Sequence, residues 1–273
     1  MQTDWEALLN RIEKIQYLNQ ILLEEMPEYQ ETAAWFPRDE ASQRRLLRSL
    51  MNVRPPIPAS QKFLTVQDAL LSEEREERGV VDVETLPAIA KNPRLVLWQG
   101  DITTLKADAI VNAANPALRG CFCPLHSCID NLIHSRSGIQ LRLCCDEIMT
   151  AQGYDEPPGQ AKITPAFHLP SRYILHTVGP VIHGRVTSKD KELLASCYRS
   201  CLKLAAEKRL ATVAFCCIST GEFHFPHGEA AEIAVKTVED FLQADTSIRR
   251  VIFNVFTDTD LAIYRKLLGE RPC

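Results

Sequence analysis

RLVLWQGDITTLKADAIVNAAN, residues 94–115, decides the fold. It holds two short β-rich runs, Leu95-Val96-Leu97-Trp98 and Ala109-Ile110-Val111, each followed by a polar, turn-forming segment. Downstream the pattern recurs in Tyr173-Ile174-Leu175, Val213-Ala214-Phe215-Cys216 and Val251-Ile252-Phe253. Between these runs, helical periodicity predicts helices at roughly 127–152, 189–208, 227–243 and 259–268. Continuous apolar strands separated by helices imply a sheet covered on both faces. The expected fold is therefore a three-layer α/β/α domain with a mixed central sheet, spanning residues 91–273.

Upstream, residues 1–90 read as a helical extension. Trp5, Leu8, Leu9, Ile12, Ile15, Leu18, Ile21 and Leu22 recur at spacings of three and four, as an amphipathic helix requires. A second helix is expected from Ser42 to Met51, stopped by Arg54-Pro55-Pro56. A third begins at Thr65-Val66-Gln67-Asp68 and ends near Gly79. Its charged run, Glu73 to Arg78, reads as a solvated face, and the extension as a whole shows no chemistry of its own.

The chain's 273 residues are 45% hydrophobic and 24% charged, ordinary values for a domain with a packed core. A net charge of −4 argues against nucleic-acid binding as its main task. No apolar run approaches the ~20 residues of a membrane helix. The N-terminus lacks the pattern of a signal peptide, so a cytoplasmic location is expected. Of the ten cysteines, Cys144, Cys145, Cys197, Cys201, Cys216 and Cys217 lie in apolar stretches and read as small core hydrophobes. Cys121, Cys123 and Cys128 differ, because they crowd into eight residues together with His126.

Three loops after strands carry polar or glycine-rich content, and ligands of α/β sheets gather at such strand ends. Gln99-Gly100-Asp101-Ile102-Thr103 offers a carboxylate that either accepts bonds from an exocyclic amine or caps a turn. Asn112-Ala113-Ala114-Asn115 brackets small residues with amides able to bond sugar hydroxyls, or simply to form turns. Ser219-Thr220-Gly221-Glu222-Phe223 combines small residues and free N–H groups near a helix start, a pattern suited to an anion but shared by generic strand–helix turns.

Taken in order, GDIT, NAANPALRG, Asp130-x-x-x-His134, HTVGP (176–180) and ISTGEFHFP (218–226) resemble the macrodomain family over about residues 90–270. The resemblance implies an ADP-ribose cleft. Asp101 and Ile102 would hold adenine, with Phe256 stacked on it. Ser219, Thr220, Gly221 and Glu222 would wrap the diphosphate. Phe223, Asn112 and Asn115 would face the distal ribose.

The glycine run that usually follows the second loop is replaced here by Gly120-Cys121-Phe122-Cys123-Pro124-Leu125-His126-Ser127-Cys128-Ile129-Asp130-Asn131. Two thiols and an imidazole at this spacing have the composition of a metal site. The variant resembles the zinc-dependent macrodomains of bacteria and some fungi, and that likeness implies one zinc ion on Cys121, His126 and Cys128. A fourth position left open is the arrangement of catalytic zinc. Competing readings are a closed site completed by Cys123, and buried thiols with no metal.

What this second resemblance implies is a protein-ADP-ribose hydrolase that removes mono-ADP-ribose from Asp or Glu side chains, with ADP-ribose as product. Asp130 and Asn115 would be its catalytic residues, and His134 a packing or supporting one. Such proteins occur beside sirtuin-like transferases and lipoate-handling proteins, which implies a modified lipoyl-carrier protein as partner. The rival readings are an ADP-ribose reader with structural zinc, a hydrolase of a free ADP-ribose metabolite, and a thiol-based sensor.

Overall fold

Local capping starts the extension's helices. In a computed structural model, which describes residues 9–244 and 247–269, Asn10 opens helix α1 (Arg11–Glu25) with a reciprocal capping box to Glu13. Trp5 and Leu8 lie outside the described residues. A short helix α2 (Gln30–Ala34) follows, then α3 (Glu40–Val53), capped by Asp39, and α4 (Gln61–Arg78), capped by Ser60. Helix α4 begins four residues before the expected Thr65, because the Ser60 hydroxyl accepts the Phe63 N–H and caps a first turn running from Gln61. Ile15, Leu18, Leu22, Leu47, Leu50, Phe63, Val66 and Leu70 pack into an apolar cluster of their own.

The charged run of α4 is not simply a solvated face. Glu74 is buried and takes both Arg44 Nε and Arg44 Nη2, while Glu76 and Glu77 stay exposed. Its carboxylate can leave water because the Arg44 fork, with Arg11 and Arg78 within 4 Å, replaces the lost hydration.

Strand β1 (Val81–Asp82) pairs in parallel with β3 (Leu105–Lys106), a small ribbon that the sequence did not suggest. The main sheet contains β2 (Leu95–Gln99), β4 (Ala109–Ala113), β5 (Ala161–Pro165), β6 (Tyr173–Thr177), β7 (Thr212–Phe215) and β8 (Arg250–Val255). Its order is β2-β8-β7-β4-β6-β5, with every pairing parallel except the antiparallel edge pair β5–β6. The mixed sheet and three-layer architecture are thus as expected. Edge strand β5 escaped notice because it is polar and ends in Pro165, which only an edge tolerates.

Helices α5 (Ile129–Ser137) and α6 (Ile139–Gln152) pack on each other, α5 against β4 and α6 against β5. They correct the single helix expected over 127–152. Gly138 breaks it at φ +93°, where a side chain would also strike Gln67 and Gln140. Helices α7 (Ser188–Glu207), α8 (His227–Leu242) and α9 (Asp258–Leu268) pack in series. Among the described residues no helix is long and apolar enough to cross a membrane. Cys145, Cys197, Cys201 and Cys216 are buried, while Cys144 and Cys217 are partly exposed.

Candidate active site

The carboxyl ends of β2, β4, β7 and β8 open onto one cleft of about 580 Å³. After β2, Asp101 caps a single turn: its Oδ1 accepts the Thr103 N–H at 3.0 Å and the Thr103 hydroxyl at 2.7 Å. Its Oδ2 accepts from Arg136. Burial alone would raise the Asp101 pKa, but the Thr103 hydroxyl and the Arg136 guanidinium outweigh it and hold the group below the usual range. A carboxylate has about four lone-pair sites, so one more donor can still be accepted. Ile102 lies beside it on the cleft wall, and Phe256, at the end of β8, is 75% exposed there.

After β7 the chain makes a tight turn. Ser219 sits at φ +65° and His224 at φ +58°, closed by bonds from Phe225 N–H to Ser219 O and from His224 N–H to Gly221 O. Ser219 Oγ is buried with no protein partner, packed so closely over Gly179 that a Cβ there would come within 2.0 Å of it. Helix α8 starts only at His227, so the N–H groups of Ser219, Thr220, Gly221 and Glu222 belong to this turn rather than to the helix's first turn.

The segment from Asn112 to Asn115, which begins inside β4, departs from its expected role at one position. Asn112 is fully buried and does not line the cleft. It lies beneath, where its Nδ2 donates to Asp130 Oδ1 at 2.8 Å and approaches His176 Nδ1 at 3.2 Å. This follows from register, since Asn112 and His176 are direct partners on β4 and β6. Asn115 does line the cleft, donating to Gly120 O at 3.1 Å and to Asp130 Oδ2 at 3.3 Å. Asp130 occupies the first turn of α5, and burial raises its pKa to about 6 against the opposing bond from Asn112.

His134, one turn on, brings Nε2 within 3.6 Å of Asp130 Oδ1. Burial, reinforced by the positive charge of Arg142, keeps its pKa well below normal, so it is neutral. With Cys145 and His176 it forms a second, wholly buried group of potential metal ligands. His176 Nδ1, however, faces the Asn112 amide, and Nε2 bonds the Thr164 hydroxyl at 2.9 Å, which commits that ring to protein partners.

The ligand atoms of Cys121, His126 and Cys128 all lie within 4.8 Å of one another, at the cleft's edge. Cys123 is exposed and stands outside this trio. His126 Nδ1 is buried without a partner, and His126 Nε2 is 3.6 Å from Glu222 across the cleft. Burial and the neighbouring Cys121 push the Cys128 thiol up to about 12, a cost that a bound cation reverses. Two sulfurs and an orphaned imidazole nitrogen fit a metal ion of borderline softness. The sequence did not reveal what holds this loop. Asn131 donates to Cys123 O at 2.9 Å, and Arg48 and Asn52 of α3 bond the His126 carbonyl and the Leu125 N–H. Asn131 stands inside the quoted motif and could have been noticed; Arg48 and Asn52 carry no local signal.

Residues 111–234 match the Macro domain family. The chain is 51% identical over 255 residues to a "Protein-ADP-ribose hydrolase" of Treponema medium, covering 93% of this chain and 97% of that one. It is 54% identical over 226 residues to a protein of the same name from Staphylococcus aureus, covering 82% and 84%. Among solved structures, a macrodomain variant of Oceanobacillus iheyensis with ADPR is similar at 38% identity and a TM-score of 0.59, over 64% of this chain and 91% of that one.

Proposed function

Since this chain belongs to the macrodomain family, we propose that it is a protein-ADP-ribose hydrolase using one zinc ion to remove mono-ADP-ribose from Asp or Glu side chains. The observation that carries this reading is the Cys121, His126 and Cys128 trio lining the same cleft as Asp130 and Asn115. A module that only binds ADP-ribose has no need of metal ligands beside a buried carboxylate, and the names of the relatives favour hydrolysis.

In this reading residues 91–273 form the macrodomain and residues 1–90 its helical extension. Phe256 stacks on adenine, whose amine bonds Asp101 beside Ile102. Backbone N–H groups from Ser219, Thr220, Gly221 and Glu222 bind the diphosphate, and Phe223 flanks the distal ribose. Asn115 orients the ribose, while Asn112 acts from beneath by holding Asp130. Asp130, with its pKa raised to about 6, accepts a proton from water as the water oxygen bonds the anomeric carbon and the substrate carboxylate departs. Zinc on Cys121, His126 and Cys128, when bound, supplies Lewis acidity at that end of the cleft. A lipoyl-carrier protein modified by a sirtuin-like transferase is the partner suggested by family resemblance.

The test follows ADP-ribose release from an aspartyl- or glutamyl-ADP-ribosylated protein, with and without a zinc chelator. Release that the chelator abolishes and added zinc restores is the expected result. Tight ADP-ribose binding with no release overturns the reading in favour of a binding module.

A further inference from the structure

We infer that helix α3 of the N-terminal extension is a working part of the metal loop, with Arg48 and Asn52 as positioning residues for Cys121, His126 and Cys128. The inference rests on that trio holding a metal. Residues 121–128 lie in no helix or strand, and the one backbone hydrogen bond seen within them runs from His126 N–H to Cys123 O at 3.3 Å. A loop so weakly tied has no intrinsic reason to hold three ligand atoms within 4.8 Å of each other. Leu125, between two of the ligands, is bent to φ +57°, a conformation that branched side chains rarely adopt.

Two of the restraints come from α3, outside the domain. Asn52, 1% exposed, accepts the Leu125 N–H on Oδ1 at 3.0 Å and donates through Nδ2 to the Ser135 hydroxyl on α5 at 2.9 Å. Arg48 Nη2 donates to the His126 carbonyl at 2.9 Å and to Asn131 Oδ1 at 2.8 Å. Asn131 passes the constraint on, donating its side-chain amide to Cys123 O and its backbone N–H to Cys128 Sγ at 3.4 Å. A third tie enters from α6. Arg142 bonds the Arg119 carbonyl at 2.7 Å and the Met51 and Arg54 carbonyls at 3.0 and 2.6 Å, with its guanidinium 4.1 Å over the Phe122 ring. The loop is therefore gripped before Cys121, at Leu125 and His126, and at Cys128. Partners that orient ligands in this way typically set metal affinity over 10–100-fold.

Cobalt(II) titrated into the metal-free full-length chain, in competition with a chromophoric chelator, tests this, since its visible spectrum reports thiolate ligation and geometry. Wild type is expected to bind one ion with a tetrahedral thiolate spectrum, and Cys128→Ala to lose it. Arg48→Ala and Asn52→Ala should bind about 10–100-fold more weakly, with an altered spectrum. Arg48→Lys, which keeps a donor for the His126 carbonyl, should recover most of the affinity. Asn52 is buried, so Arg48→Ala, at a half-exposed position, carries the test if Asn52→Ala does not fold. Wild-type affinity and spectrum in folded Arg48→Ala reduce α3 to packing and overturn the inference. Wild-type binding in Cys128→Ala instead overturns the metal trio itself.

Discussion

Asn112 and Asp130 meet through a single hydrogen bond, Nδ2 to Oδ1 at 2.8 Å, eighteen residues apart in sequence and almost wholly withdrawn from solvent. The bond aims one carboxylate oxygen and, with Asn115 on the other, leaves Asp130 with neutral donors only at hydrogen-bond distance. A carboxyl held this way keeps a raised pKa and a defined orientation, which suits proton transfer at the cleft.

Asp130→Asn preserves shape and removes the base. Hydrolysis is expected to fall about 10²–10⁴-fold with ADP-ribose affinity within a few-fold of wild type, measured by single-turnover release and calorimetry. Parental hydrolysis in this variant would falsify the catalytic role.

Metal analysis addresses the trio directly. Purified wild-type protein should carry one zinc per chain, and Cys128→Ala should carry little. Cys123→Ser should retain the metal, since Cys123 is exposed and stands apart from Cys121, His126 and Cys128. Zinc loss on Cys123→Ser would instead point to a closed four-ligand site.

Phe256 presents an exposed ring to the cleft, where the proposed function stacks adenine on it. Base stacking on an aromatic side chain is worth about 1–3 kcal/mol. Phe256→Ala should therefore weaken ADP-ribose binding by about 5- to 150-fold and leave thermal stability unchanged. An unaltered Kd by calorimetry would remove it from the adenine site.

Burial lowers the His176 pKa from 6.5 to about 3, so between those values the unfolded chain binds a proton that the folded chain refuses. Stability from this group is complete above pH 6.5 and is lost as pH falls, by about 1.4 kcal/mol per unit. Asp130 acts in the opposite sense between about 6 and 3.8, because its raised pKa favours the folded state in acid. The measurement is thus a difference. Between pH 7.5 and 5, wild type should lose about 2 kcal/mol more than His176→Gln in urea unfolding. Parallel losses in both proteins would mean that His176 does not stay neutral.

Much of this was legible locally. The β-rich runs declared the sheet because a strand covered on both faces must be continuously apolar, and the spacing of Cys121, His126 and Cys128 announced that the three side chains would lie together because a short loop keeps its members close. Asp130 and His134 announced one helical face by their separation.

Other features were decided by the tertiary structure alone. Asn112 looked like a ribose ligand, yet its place on β4 opposite His176 turns it under the cleft to hold Asp130. Glu74 looked solvated until Arg44 was packed beside it. Arg48 reaches Asn131 across 83 residues, and Asn52 reaches Leu125 across 73. Periodicity, capping and ligand spacing are short-range physics, and the sequence by itself determines what they govern. Which distant polar groups meet depends on how the layers pack, because a buried donor takes the acceptor that the fold brings to it.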